Sequence, residues 1–125
     1  MKKKQFSIEI PIRCSPNILY GFLSTASGLQ EWFADQVEQH GDSFFFTWEG
    51  STDEAIRIET VENESVKYKW DYMDEGEFFE LKISQSPITN ETILIITDFA
   101  ADYERKDQEQ LWQSQIDDLK TRIGS

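Results

Sequence analysis

Residues 109–124 read EQLWQSQIDDLKTRIG, and this stretch decides the fold. Its apolar side chains recur at steps of three and four residues, the period of a helix with one apolar face: Leu111, Trp112, Ile116, Leu119 and Ile123. Gly124 is a typical stop signal, and the start is expected between Asp102 and Asp107. The pattern predicts a C-terminal amphipathic helix of about five turns, at 3.6 residues a turn.

Most of the chain before that helix alternates apolar and polar side chains in short runs, which indicates half-buried strands. The predicted strands cover residues 4–13, 36–38, 44–48, 55–61, 66–70, 79–83 and 93–99. Turn residues such as Gly41, Gly50 and Asn63 separate neighbouring runs at hairpin spacing. Short strands joined in this way are typical of an antiparallel meander.

Two short helices are predicted between the first strand and the meander. Ser15 followed by Pro16 is a typical helix start, with a hydroxyl cap and a proline in the first turn. Ser27 and Gln30 have the spacing of a capping box and predict a second helix that ends near residues 32–33.

The order of these elements predicts the architecture. A curved antiparallel sheet of about six or seven strands has one apolar face to cover, and only the C-terminal helix is long enough to lie across it. The 125 residues suit one α+β domain spanning 1–125. A strongly curved sheet stands off the helix that it wraps, so a space between the two is expected.

Three segments carry a family resemblance: SPNILYGFL at 15–23, GLQEWF at 28–33 and LWQSQIDDLK at 111–120. They resemble the START-like (SRPBCC, birch-allergen-like) superfamily, and within it the branch related to the activator of a heat-shock chaperone ATPase. The resemblance implies a helix-grip fold and a module that binds a small molecule or a lipid. It also leaves open an acidic protein-interaction module of the chaperone-activator type, and a cyclase- or hydrolase-like enzyme. These motifs are packing motifs, so they support a fold rather than an activity.

Aromatic residues on the central strands supply the candidate site. The predicted ligand-binding set is Phe44, Phe46, Trp48, Tyr68, Trp70 and Trp112, which would line the space under the long helix. One interpretation is a pocket for an apolar or aromatic molecule, with tyrosine hydroxyls and tryptophan N–H groups as its polar points. The other is that these large rings fill the core.

Charge and composition exclude several classes of function. The chain has 12 Lys and Arg against 24 Asp and Glu, a formal net charge of -12, which disfavours nucleic acid and anionic membranes and favours a basic protein partner. No apolar run approaches membrane-spanning length, and polar residues from Gln5 to Arg13 interrupt any signal sequence. We therefore expect a cytoplasmic protein without membrane insertion, either a monomer or a homodimer.

Residues able to perform catalysis are few. His40 is the only histidine and lies at a predicted turn, and Cys14 is the only cysteine, so neither a zinc site nor a nucleophile–base pair can be assembled. We predict no catalytic residue, no metal and no cofactor. The enzyme alternative would need an inward acid such as Asp98 or Glu59.

On the fourth predicted strand, the alternation of apolar and charged residues predicts which side chains face the core. Ile56 and Ile58 are expected to face the core, which places Arg57 and Glu59 on the outer face in cross-strand ion pairs.

Overall fold

The computed structural model describes residues 3–124. Its elements are β1 (Lys4–Pro11), α1 (Pro16–Ser24), α2 (Ala26–Gln30), β2 (Gln36–His40), β3 (Ser43–Trp48), β4 (Ser51–Val61), β5 (Ser65–Trp70), β6 (Phe79–Gln85), β7 (Thr92–Ala100) and α3 (Arg105–Ile123).

The seven strands form one antiparallel sheet in the order β1-β7-β6-β5-β4-β3-β2. Strands β2 to β7 follow one another as a meander, whereas β1 joins β7 at the far edge, with Lys4 opposite Ala100 and Pro11 opposite Ile93. The predicted α+β helix-grip architecture is therefore confirmed.

Helix α3 crosses the sheet and buries Trp112, Ile116 and Leu119 against it. At its start, the Arg105 guanidinium lies 5.6 Å from the centre of the Phe6 ring on β1. The helix ends as predicted: Gly124 adopts the left-handed conformation, with φ of 86°, and its N–H donates to the Lys120 carbonyl.

The second short helix differs from the prediction at both ends. Its cap is Thr25 rather than Ser27, because the Thr25 hydroxyl accepts from Gly28 N at 2.9 Å while donating to the Gly21 carbonyl of α1 at 2.7 Å. The helix ends at Gln30, and the N–H groups of the next turn share the Leu29 carbonyl. One hydroxyl thus joins the two helices, and the prediction of a helix reaching residues 32–33 was wrong.

The facing of β4 was also predicted wrongly. Ile56 and Ile58 are 48% and 49% exposed, whereas Arg57 lies opposite the buried Tyr68 on the inner side. The register shifts between Arg57 and Glu59, which is a β-bulge. Glu59 beyond the bulge does face outward, with its carboxylate 3.5 Å from the Lys67 ammonium, so that part of the prediction is confirmed.

Candidate functional site

Three of the six predicted site residues lie in the packed core. Phe44, Phe46 and Tyr68 have no exposed surface, and the Tyr68 ring meets Phe44 edge-on with 5.3 Å between centroids. Phe46 packs against Tyr68 in the same way, at 6.3 Å. These rings fill the space beside α1, so this part of the set does not line the pocket described below.

The Tyr68 hydroxyl is used within the fold, at the end of α1. The last four carbonyls of a helix have no partner inside it. In α1 each of them accepts from a side chain: Thr25 Oγ1 donates to Gly21 (2.7 Å), Trp32 Nε1 to Phe22 (2.8 Å), the Tyr68 hydroxyl to Leu23 (2.8 Å) and Arg57 Nη1 to Ser24 (2.9 Å). This arrangement explains why Arg57 faces inward, and burial raises the pKa of Tyr68.

The other three predicted residues come together at a pocket between α3 and the rim of the sheet. The pocket has a volume of about 260 Å³ and lies where β3 ends, β4 begins and β5 ends. Its aromatic wall consists of Phe33, Trp48, Trp70, Tyr72 and Trp112. Its other lining residues are Asp53, Asp98, Gln108, Leu111 and Gln115. Trp48, Trp70 and Trp112 thus meet at one site, and their ligand-binding role stays a prediction.

Phe33 is the centre of the aromatic wall and was missed by the sequence reasoning. Its ring lies 5.5 Å from Trp48, 6.3 Å from Trp70 and 5.6 Å from Trp112, measured between centroids. The Phe33 carbonyl accepts from Trp48 Nε1 at 2.8 Å and from Gln115 Nε2 at 2.9 Å. These two hydrogen bonds therefore join the loop after α2 to both β3 and α3. No local sequence pattern predicts these contacts.

The predicted ligand-binding set also left out Tyr72 and Asp53, although period-two reasoning could have included them. Tyr72 lies two residues beyond the inward Trp70, and Asp53 two residues before the inward Ala55. Tyr72 lies past the end of β5, where facing is harder to infer, whereas Asp53 pairs with the inward Phe46 of β3.

Asp98 is the buried charged group of the pocket. Its side chain faces inward from β7 and is only 7% exposed. Oδ2 accepts from Trp112 Nε1 at 2.9 Å, and Oδ1 accepts from the Phe99 backbone N–H at 2.7 Å. Burial raises the pKa of Asp98 above its usual 3.8, while the two N–H donors oppose that rise by favouring the ionised form.

Carboxylates surround Tyr72 at the pocket mouth. Partial desolvation of its hydroxyl raises the pKa of Tyr72 to about 12, although the residue as a whole is exposed, and the nearby carboxylates of Asp53, Asp98 and Asp71 add to the rise. Among the described residues that line the pocket, none is cationic.

A family model for the START-like superfamily domain matches residues 1–125. The chain belongs to the START-like superfamily. BfR322 from Bacteroides fragilis, solved by NMR, is 32% identical with a TM-score of 0.69, and the match covers 98% of this chain and 92% of that one. No curated protein matches the sequence.

Two more distant structures share the fold of this START-like domain. The Aha1 dimer from Colwellia psychrerythraea is 19% identical with a TM-score of 0.78, covering 96% of each chain. MLL2253 from Mesorhizobium loti is 16% identical with a TM-score of 0.76, covering 94% of this chain and 95% of that one.

A second, larger groove adjoins the pocket of this START-like domain. Its volume is about 660 Å³, and it shares Phe33, Trp48 and Gln115 with the pocket. Acidic side chains from the loop between α2 and β2 and from α3 line it: Glu31, Asp35 and Asp118. Arg122 also contributes, with its Nε 3.6 Å from a Glu31 carboxylate oxygen.

His40 and Cys14 of this START-like domain lie outside both lining sets. His40 is exposed at the end of β2, with Nε2 3.8 Å from the Glu38 carboxylate. Cys14 is half-buried, and burial raises the pKa of its thiol.

Within residues 3–124 no group of three or more His, Cys, Asp or Glu is placed to hold a metal ion. Over the same range, no helix has the length and apolar character needed to cross a bilayer.

Proposed function

We propose that this START-like domain binds a small aromatic or apolar molecule, without catalysis, in the pocket between α3 and the sheet rim. The observation that carries the proposal is the convergence of Trp48, Trp70 and Trp112, from three separate elements, on one open pocket. Phe44, Phe46 and Tyr68 are fully buried, whereas these three also line the pocket. A volume of about 260 Å³ lies just below the range of about 300–1,000 Å³ found for drug-sized ligands. It therefore favours a small ligand over a long acyl chain.

The hydrogen bonding of the tryptophan N–H groups supports a ligand that is bound mainly by contact with aromatic rings. The indole N–H groups of Trp48 and Trp112 already donate to protein acceptors. Among residues 3–124, the Trp70 indole N–H has no hydrogen-bond acceptor, and no buried side-chain nitrogen or oxygen is left unpaired. The Trp70 N–H is therefore a free donor on a residue that lines the pocket.

Hydrogen bonding at Asp98 supports a non-catalytic role. The cyclase- or hydrolase-like alternative requires an inward acid, and Asp98 is such a group. Both of its carboxylate oxygens, however, accept N–H donors from the protein. A group held in this way binds and orients Trp112 more readily than it exchanges protons with a ligand.

The first test is native mass spectrometry of freshly purified protein, followed by denaturing extraction. The proposal expects a small molecule that leaves on denaturation. The second test titrates 15N-labelled protein with indole and follows the tryptophan Nε1–H signals. Those of Trp48, Trp70 and Trp112 are expected to shift, while that of Trp32, which lies outside the pocket lining, stays in place.

A pocket-filling variant makes the second test decisive. Gln108→Trp places a large ring at the pocket wall on α3, whereas Gln113→Trp adds the same ring on an exposed position of the same helix. Gln108→Trp should weaken indole binding at least tenfold, and Gln113→Trp should leave it unchanged. Equal binding by the two variants, or no indole binding by the wild type, would contradict the proposal.

A second candidate function is contact with a basic protein. The acidic groove lined by Glu31, Asp35 and Asp118, together with the net charge of -12, favours it by charge complementarity. A pull-down with Asp35→Lys/Asp118→Lys should lose a partner that the wild type retains. Cytoplasmic location, and a monomeric or homodimeric state, remain predictions.

A further inference from the structure

We infer that the pocket selects organic cations, namely an amine or ammonium group carried on an aromatic or apolar body. This inference rests on the proposed function, because it names the chemical class that the same pocket would take.

The aromatic wall is suited to a positive charge. Trp48 and Trp70 lie 6.0 Å apart between centroids, and Tyr72 stacks on Trp70 at 5.9 Å with an 8° angle between planes. The face of each such ring carries the negative part of its quadrupole, which attracts a cation within about 6 Å of the ring centre. The N–H edge of Trp48 is directed to the Phe33 carbonyl, which turns the positive edge of that indole toward the protein.

Two carboxylates from different strands complete the match. Asp98 on β7 lies at the buried part of the lining, and Asp53 on β4 lies exposed at the rim. Among residues 3–124, no hydrogen-bond donor or cationic side chain pairs with the Asp53 carboxylate. A bound ammonium would supply that partner, whereas a bound anion would face two carboxylates with no lysine or arginine in the described lining.

The behaviour of Tyr72 points the same way. The carboxylates around Tyr72 disfavour the negative charge of its phenolate. The same carboxylates would favour a positive charge placed beside the Tyr72 ring. The net charge of -12 adds a long-range attraction for cations.

Three indole compounds with the same two-carbon linker test the inference. Tryptamine carries an ammonium at neutral pH, tryptophol replaces that group with a neutral hydroxyl, and indole-3-propionate carries a carboxylate. Affinities are measured from the Nε1–H shifts of Trp48, Trp70 and Trp112. Tryptamine should bind at least tenfold more tightly than tryptophol, a difference of about 1.4 kcal/mol, and indole-3-propionate should bind more weakly than both. The preference for tryptamine should shrink as salt is added, because Asp53 is exposed.

Two charge-matched variants separate a local effect from a general one. Asp53→Asn and Glu54→Gln each remove one negative charge, but alternation along β4 places these neighbours on opposite faces of the sheet. Asp53→Asn should lower tryptamine affinity about threefold or more and leave tryptophol affinity unchanged, while Glu54→Gln should leave both unchanged.

The outcomes distinguish the two proposals. If tryptamine and tryptophol bind equally at the three tryptophans, the cation inference is overturned and the proposed function stands. If the two variants reduce tryptamine affinity equally, the preference reflects net charge and the inference is likewise overturned. If none of the three compounds shifts these signals, both proposals fail together.

Discussion

The Trp112 indole donates a 2.9 Å hydrogen bond to the Asp98 carboxylate, which joins α3 to β7 inside the molecule. This bond holds the Trp112 indole of α3 against the sheet. Trp112 also stacks on Phe33, with 5.6 Å between ring centroids. A charged acceptor makes such a bond stronger than a neutral one. The position of the pocket wall therefore depends on a buried charge.

The first prediction concerns the pKa of Asp98. Trp112→Phe removes a donor that favours the carboxylate, so the pKa of Asp98, already above 3.8, should rise further. The measurement is a 13C NMR titration of the Asp98 carboxyl. Trp32→Phe is the matched control, because the Trp32 N–H donates to the Phe22 carbonyl instead. A fall of the Asp98 pKa in the Trp112 variant would contradict this account.

The same shift predicts a pH dependence of stability. Because the folded pKa of Asp98 lies above its usual 3.8, the folded protein binds this proton more tightly than the unfolded chain. The contribution of Asp98 to the unfolding free energy is therefore fully present below pH 3.8 and is lost as pH rises through the folded pKa. Urea denaturation of the wild type and of Asp98→Asn measures this contribution. As pH rises through this window, the unfolding free energy of the wild type should fall relative to that of Asp98→Asn. A constant difference would refute the prediction.

The hydrogen bond from the Tyr68 hydroxyl to the end of α1 predicts that loss of this hydroxyl lowers stability. Tyr68→Phe leaves the Leu23 carbonyl without its buried donor, which should lower the unfolding free energy by about 1–3 kcal/mol. Tyr72→Phe removes the same group from a residue that is 60% exposed, and should cost less than about 0.5 kcal/mol. Urea denaturation with unchanged m-values gives both numbers. Equal costs for the two variants would argue against the capping role.

The contact between α1 and α2 predicts opposite effects at two glycines. A Cβ at Gly28 would lie 2.1 Å from the Gly21 carbonyl oxygen, so Gly28→Ala forces the helices apart and should cost about 1–3 kcal/mol or more. A Cβ at Gly21 meets nothing within 4 Å, so Gly21→Ala should stabilise the helix by about 0.5–1 kcal/mol. Thermal denaturation of both variants checks the sign, and a neutral Gly28→Ala would show that the helices pack less closely than described.

The shared acceptor at Phe33 predicts a coupling. Trp48→Phe and Gln115→Leu each leave the Phe33 carbonyl with one donor, so its hydrogen bonding survives either change. The double variant leaves that carbonyl unpaired and should cost about 1 kcal/mol more than the sum of the single changes. A double-mutant cycle by urea denaturation measures this term, and strict additivity would show that the two bonds act independently.

Local periodicity predicted the order and type of the elements, although not the bounds of α2 or the facing of β4. The steps of three and four residues in residues 109–124 predicted α3 with its stop at Gly124, and alternation predicted the strands. These patterns arise because one face of each element is removed from water, which the sequence records directly. The aromatic composition likewise pointed to Trp48, Trp70 and Trp112, although it could not separate them from Phe44, Phe46 and Tyr68.

Contacts between distant segments decided what periodicity could not. Ala55 faces the core, so alternation turns Ile56 outward and Arg57 inward, where Arg57 donates to the Ser24 carbonyl at the end of α1, 33 residues earlier. The bulge after Arg57 then turns Glu59 outward. Asp98 shares the inner face of β7 with Leu94 and Ile96, and Trp112 of α3 supplies a donor for its buried carboxylate. The division of the aromatic rings into a packed core and a pocket wall depends on where the loop carrying Phe33 meets β3 and α3. Each of these is a pairing between polar or aromatic groups far apart in the chain, and such pairings leave no periodic signal in either partner's sequence.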